Sequence, residues 1–143
     1  MWRYLVLAGL AGCFSATYGY HVQLAEGPGD AFEDAVVRAQ VRVDGDAIRL
    51  ELTNKTDEVI QVGWSKIRLD RGDGTQTVLH PASDLGWILP GTSAQAELVP
   101  VAFPQGDAAR AYDRRTLELA VPVVVRREPS TYRFHLVVHV EEK

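Results

Sequence analysis

Cys13 is the one cysteine in a chain of 143 residues, and it closes an apolar N-terminal run in which Arg3 is the single charge. A positive charge, an apolar stretch from Tyr4 to Ala11 and small residues before a cut site form the layout of a secretory signal peptide. A lone thiol makes no internal disulfide. The other side chains able to do chemistry are four histidines. His135 and His139 fall on one face of a strand but about 13 Å apart along it. Two ligands of one zinc must each lie about 2 Å from the ion, so this pair does not share one. His21 lies in an N-terminal tether and His80 precedes a proline at a strand end. All four read as solvated polar-face histidines, and no metal ligand is assigned. Ser, His and Asp are present, but there is no Gly-x-Ser-x-Gly elbow and no glycine-rich phosphate loop. No catalytic residue and no cofactor are assigned, and the chain reads as a non-enzyme.

Leu10-Ala11-Gly12-Cys13 resembles the lipobox of bacterial lipoproteins, in which a leucine and two small residues precede a cysteine. The resemblance implies that Leu10, Ala11 and Gly12 are recognised by a dedicated signal peptidase. Cys13 would be joined to a diacylglycerol and become the first mature residue. It implies a partner too, the lipid bilayer, reached through the acylated Cys13. Tyr4 to Gly12 is about half the ~20 apolar residues a spanning helix needs, so an uncleaved transmembrane anchor is not expected. Two or more acyl chains, at about 0.8 kcal/mol per buried CH₂, anchor a protein durably. Position 14 is Phe rather than Asp, which in this family implies the outer membrane, facing the periplasm, wherever the cell has two membranes.

Removing residues 1–12 leaves fourteen Lys and Arg against nineteen Asp and Glu, a net charge near −5. That balance excludes nucleic acid as a partner, because phosphate contacts need clustered cations. The 131 residues remaining suit one domain, able to bury about 68% of its unfolded surface without disulfide or metal.

The elements that must position any site are strands. Residues 13–30 read as lipidated cysteine and tether, ending in Gly27-Pro28-Gly29; alternation at Tyr18, Tyr20, Val22 and Leu24 allows a short strand within it. From residue 31 to 143 the dominant period is two. Val37, Ala39, Val41 and Val43 alternate up to Asp44-Gly45, a strong hairpin signal, and Ile48, Leu50 and Leu52 return. Ile60, Val62 and Trp64 make a third strand, with a bend expected near Gly63 and Ser65 before Ile67 and Leu69. Ala94, Ala96 and Leu98 form another. Leu117, Leu119 and Val121 follow until Pro122 limits the strand to an edge or bulge. Glu128-Pro129-Ser130 is expected to turn the chain into a last strand with Tyr132, Phe134, Leu136, Val138 and Val140 on one face.

Short strands with turns at this spacing predict an all-β fold, an immunoglobulin-like antiparallel β-sandwich of seven to eight strands. Trp64 is similar to the buried tryptophan of immunoglobulin-type sandwiches, without their cysteine pair. The Asn54-Lys55-Thr56 strand end and the later Ile88-Leu89-Pro90-Gly91 turn also resemble small bacterial sandwich modules of the intracellular proteinase inhibitor type. The expected core is Val41, Ile48, Leu50, Ile60, Val62, Trp64, Leu98, Leu119, Phe134, Leu136 and Val138.

Other local patterns read as structure. Arg71-Gly72-Asp73 matches the integrin tripeptide but is first a tight turn. Asp70, Asp73 and Gly74 lack the alternating acidic ligands of a calcium loop. Asn54-Lys55-Thr56 is a formal glycosylation sequon. Two irregular segments are apolar: Leu85, Trp87, Ile88 and Leu89 in one, Phe103 and Tyr112 in the other. They either plug the ends of the sandwich or offer a partner surface. The resulting expectation is a membrane-anchored cell-envelope lipoprotein with a non-catalytic β-sandwich as interaction or accessory module for an envelope protein. An inhibitor or ligand-binding module acting on an envelope hydrolase through Leu85–Leu89 is the alternative. Periplasmic metal binding is a third reading, resting on the four histidines.

Overall fold

The computed structural model describes residues 17–143, which form an all-β, antiparallel ladder of ten strands nearly closed into a barrel. In chain order these are β1 (Tyr18–Leu24), β2 (Ala31–Glu33), β3 (Val37–Asp44), β4 (Ala47–Asn54), β5 (Ile60–Val62), β6 (Ile67–Asp70), β7 (Gln76–Pro81), β8 (Ser93–Val99), β9 (Thr116–Val125) and β10 (Glu128–Glu142). A 3-10 turn spans Trp64–Lys66 and one short helix, α1, spans Asp107–Ala111. The spatial order is β1-β10-β9-β6-β7-β8-β4-β3-β2, with β5 also on β9. β7 changes partner along its length: Gln76–Leu79 pair with β6, while His80 and Pro81 pair with β8.

The count exceeds the expected seven or eight strands for identifiable reasons. The presumed tether contributes β1, seven residues paired with β10 from Tyr18↔Glu142 to Leu24↔Leu136. Its alternation buries Tyr18, Val22 and Leu24, so the folded region reaches back to Tyr18 and the tether boundary at residue 30 is corrected. The expected third strand is two strands along one edge of β9: β5 faces Val123–Val125 and β6 faces Glu118–Ala120. Between them the Gly63 N–H donates to Pro122 O at 2.8 Å. A strand residue's N and O face the same neighbour, so the N–H that Pro122 lacks would have faced this break. The proline therefore sits inside β9 at no cost in ladder bonds.

Trp64 is a second correction. It lies in the 3-10 turn beyond β5, half-buried against the core rather than within it. The other ten expected core residues are all buried. The β9–β10 turn is a third: Arg126 and Arg127 form it, both at positive φ (53° and 67°). That is the two-residue hairpin geometry matching strand twist, while Glu128, Pro129 and Ser130 already belong to β10. Where the ladder's ends meet, Phe32 of β2 packs on Tyr132 and Phe134 of β10, with ring centroids 6.0 and 5.6 Å away. The Tyr132 hydroxyl donates to Asp34 at 2.8 Å; burial and that bond push its pKa far up.

Candidate functional site

Asn54, at the end of β4, is the buried polar residue among the described residues and has no exposed surface. Its Nδ2 donates to Glu58 O (2.7 Å) and Ile88 O (2.9 Å). Its Oδ1 accepts from the Thr56 N–H (2.8 Å) and the Thr56 hydroxyl (2.7 Å). All four hydrogen-bonding positions of the amide are thereby filled. The backbone of the same residue donates to Thr92 O and accepts from Gly91 N–H. The Asn-x-Thr strand end and the Pro-Gly turn, far apart in sequence, are thus one clamp. The sequon reading closes here, because its amide nitrogen is buried and both protons are in use.

The clamp holds the 82–92 loop, and a second set of bonds decides which way its side chains face. Ile88 exchanges two backbone hydrogen bonds with Ile60, at 3.0 and 2.9 Å, and is 2% exposed. Alternation about that bridge sends its neighbours outward, Trp87 to 65% exposure and Leu89 to 58%. Trp64 Nε1 donates to Gly86 O at 3.1 Å, pinning the loop on its near side. On the far side Thr92 Oγ1 donates to Leu89 O at 2.8 Å, after Gly91 takes a positive φ of 71°. Of the four residues named as a candidate partner surface, Trp87 and Leu89 are exposed. Leu85 is half-buried and packed on the core. Ile88 faces inward, and its assignment to the surface is corrected.

The second apolar segment is a plug. Phe103 stacks on Tyr20 with centroids 4.4 Å apart, and Tyr112 meets both rings edge-on at 6.4 and 6.3 Å. Tyr112 is buried, with the Arg115 guanidinium 4.3 Å above its ring. Tyr20 donates to Pro104 O, and burial, then Tyr112, raises its pKa. Tyr112 is therefore no partner surface, and Phe103 is half-covered.

The two segments occupy opposite ends of the barrel. Ile88 bridges Ile60, which pairs with Val125 at the β9–β10 hairpin. The Phe103 plug packs on β1, whose first residue pairs with Glu142 at the other end of β10. Fourteen steps separate Glu128 from Glu142, about 46 Å along an extended strand. Trp87 and Leu89 thus project from the end opposite the chain's entry into the barrel.

The remaining candidates resolve by contact. Arg71 donates to Thr77 Oγ1 (3.2 Å), Val101 O and Tyr112 Oη, so the Arg71-Gly72-Asp73 arginine is turned into the fold. Asp73 caps Thr75 through its N–H at 3.0 Å and its hydroxyl, and these bonds, the hydroxyl's first, lower the carboxyl's pKa. His135 lies between Glu26 and Glu118, which contact Nδ1 and Nε2 respectively. Their hydrogen bonds and charges, Glu26 first, raise its pKa. His21 stacks on His139, a neighbour that the sequence spacing of the histidines does not reveal. Among the described residues no group of three or more His, Cys, Asp or Glu side chains is placed to hold a metal.

Leu10, Ala11, Gly12 and Cys13 lie outside the described residues. Among those described, no helix is long and apolar enough to cross a membrane. Comparison with known protein families, curated proteins and solved structures finds no match to this chain.

Proposed function

We propose that this protein is a lipid-anchored component of a bacterial cell envelope whose β domain binds another envelope protein without catalysis. The anchor reading rests on Leu10-Ala11-Gly12-Cys13 behind a charged apolar leader. The observation that carries the binding reading is the pair Trp87 and Leu89, exposed on a backbone pinned from both sides. A large aromatic held at low entropic cost is the kind of anchor that dominates protein interfaces. With Cys13 four residues before Thr17 and at most about 14 Å of chain between them, the 18–142 end of the barrel would sit against the bilayer. The tryptophan would then point away from it. We also propose that the ladder, turning over at β7, is an open variant of an immunoglobulin-like sandwich; the partner exchange within β7 supports this.

The anchor is tested by labelling cells with palmitate. Wild type is expected to take up label and sediment with membranes, and Cys13→Ser to lose both. An intact mass beginning at Met1 with a free thiol overturns it. Binding is tested by a photoactivatable side chain at position 89 in cells. A discrete crosslinked protein, lost in Trp87→Ala, is expected; an identical pattern in Trp87→Ala overturns the reading. The same held loop favours a second reading, inhibition of an envelope hydrolase. It requires that the purified domain slow such an enzyme and that Trp87→Ala relieve this.

A further inference from the structure

We propose that His21 and His139 form a two-imidazole site for a divalent transition-metal ion, with copper(II) preferred. The two residues lie directly opposite each other in the β1–β10 ladder. Their rings stack with centroids 5.1 Å apart and planes 19° from parallel. Two imidazole nitrogens on one ion stand at most about 4 Å apart, twice the usual metal–nitrogen distance. Cross-strand pairing brings the His21 and His139 rings to 5.1 Å centroid to centroid, whereas His135 and His139 are about 13 Å apart along the strand.

A second observation points to an absent partner. His139 Nε2 is buried and makes no hydrogen bond, although buried polar atoms are nearly always paired. His135, two register steps away on the same outer face, shows the contrast, since both of its nitrogens meet carboxylates. His21, the exposed member of the pair, supplies the route of entry by swinging outward as an ion arrives. Imidazole suits copper, zinc and nickel, and for a given nitrogen site the affinity order peaks at copper(II). No third His, Cys, Asp or Glu joins the pair among the described residues. The other coordination positions are left to water or to a donor from outside, which suits an exchangeable ion rather than a structural one.

The test uses the full chain, stripped of metal, in detergent. Copper(II) titration followed by electron paramagnetic resonance should show one equivalent bound through two nitrogens. His21→Ala should weaken binding by roughly tenfold or more, with its metal-free melting temperature unchanged because His21 is exposed. His139→Ala should do the same, and His80→Ala and His135→Ala should bind as wild type. Copper binding untouched by His21→Ala, copper binding lost in His80→Ala, or no binding short of precipitation each overturns the proposal. None of these outcomes depends on the lipid anchor or on the Trp87 surface.

Discussion

The segments 85–89 and 103–112 each carry large apolar side chains, and those side chains meet opposite fates. At the end where the chain enters, Phe103 and Tyr112 close on Tyr20 to form a three-ring plug. At the other end Trp87 and Leu89 stay in solvent while Ile88 between them is buried. The difference lies in what each segment meets. The first lies over β1, whose Tyr20 offers a ring face, and aromatic pairs gain beyond their buried area. The second meets the backbone edge of Ile60. An edge accepts hydrogen bonds, so the segment is drawn in as an isolated bridge, and strand alternation then forces every second side chain out. Apolar character in a loop therefore does not say whether the loop plugs or presents; the neighbour it meets decides.

That contrast predicts its largest effect at the plug. Tyr112→Ala removes a buried aromatic and should cost about 3–5 kcal/mol, the range for buried large-to-small aromatic truncations. Trp87→Ala should stay within about ±0.5 kcal/mol, as exposed substitutions do. Chemical denaturation of both variants measures the pair. Similar losses in the two would erase the distinction between the ends.

Next in size is the clamp. Asn54→Ala removes four side-chain hydrogen bonds and leaves the Thr56 N–H without a partner, while Ile88 O keeps the Ile60 N–H and Glu58 O keeps the Thr56 hydroxyl. At about 0.5–1.5 kcal/mol net per bond, a loss of about 2 kcal/mol or more is expected. The 82–92 loop should also lose hydrogen-exchange protection at Ile88 while β1 and β10 keep theirs. Equal loosening of both ends would show that Asn54 supports the whole barrel and not the presenting loop alone.

Much of this fold can be read from the alternation, because period two is the same physics in sequence and in sheet. Ten of the eleven expected core residues are buried for that reason. The misreadings have specific causes. The alternation from Tyr18 to Leu24 is legible as a strand, but its place in the barrel is not, because Gly27-Pro28-Gly29 ends a strand as readily as it marks a tether. The Arg126-Arg127 turn carries no glycine or asparagine, so Pro129 places the expected turn two residues late, at Glu128. Trp64 continues the parity of Ile60 and Val62, but Gly63 bonds to Pro122 and the chain leaves the sheet there. At the candidate surface the parity of Trp87, Ile88 and Leu89 was visible. Which parity faced inward was not, since that depends on an edge supplied by Ile60, twenty-eight residues earlier.

A subtler break of the comparison concerns Trp64. Trp64→Phe keeps most of the packing but removes the bond to Gly86 O, worth about 1 kcal/mol. The expected loss of that size should come with a change in Trp87 fluorescence, since the near side of the loop is no longer held. The Tyr20–Phe103–Tyr112 plug should be unaffected, so near-ultraviolet tyrosine signals should be unchanged. An altered plug would mean that the two ends communicate through the core.

The smallest effect tests the middle of the barrel, where neither end reaches. Glu26, from the segment linking β1 to β2, contacts His135 Nδ1 and accepts the His135 N–H at 2.9 and 3.1 Å. Glu118 of β9 faces Nε2 at 3.2 Å and shares its other oxygen with Arg133 at 2.8 Å. The carboxylates, Glu26 before Glu118, hold the imidazole's pKa above its ordinary value. The folded protein thus binds this proton more tightly than the unfolded chain does. The stabilisation is fully present below the unfolded pKa of about 6.5 and is lost as pH rises through the higher folded value. Because the ring is partly exposed, solvent screening keeps it to about 0.2–1 kcal/mol. His135→Gln removes the titration. The stability difference between wild type and His135→Gln, measured by urea unfolding, should therefore shrink as pH rises above about 6.5. A difference that grows with pH would mean that His135 is held neutral in the fold, and that Glu26 anchors this segment through the backbone N–H alone.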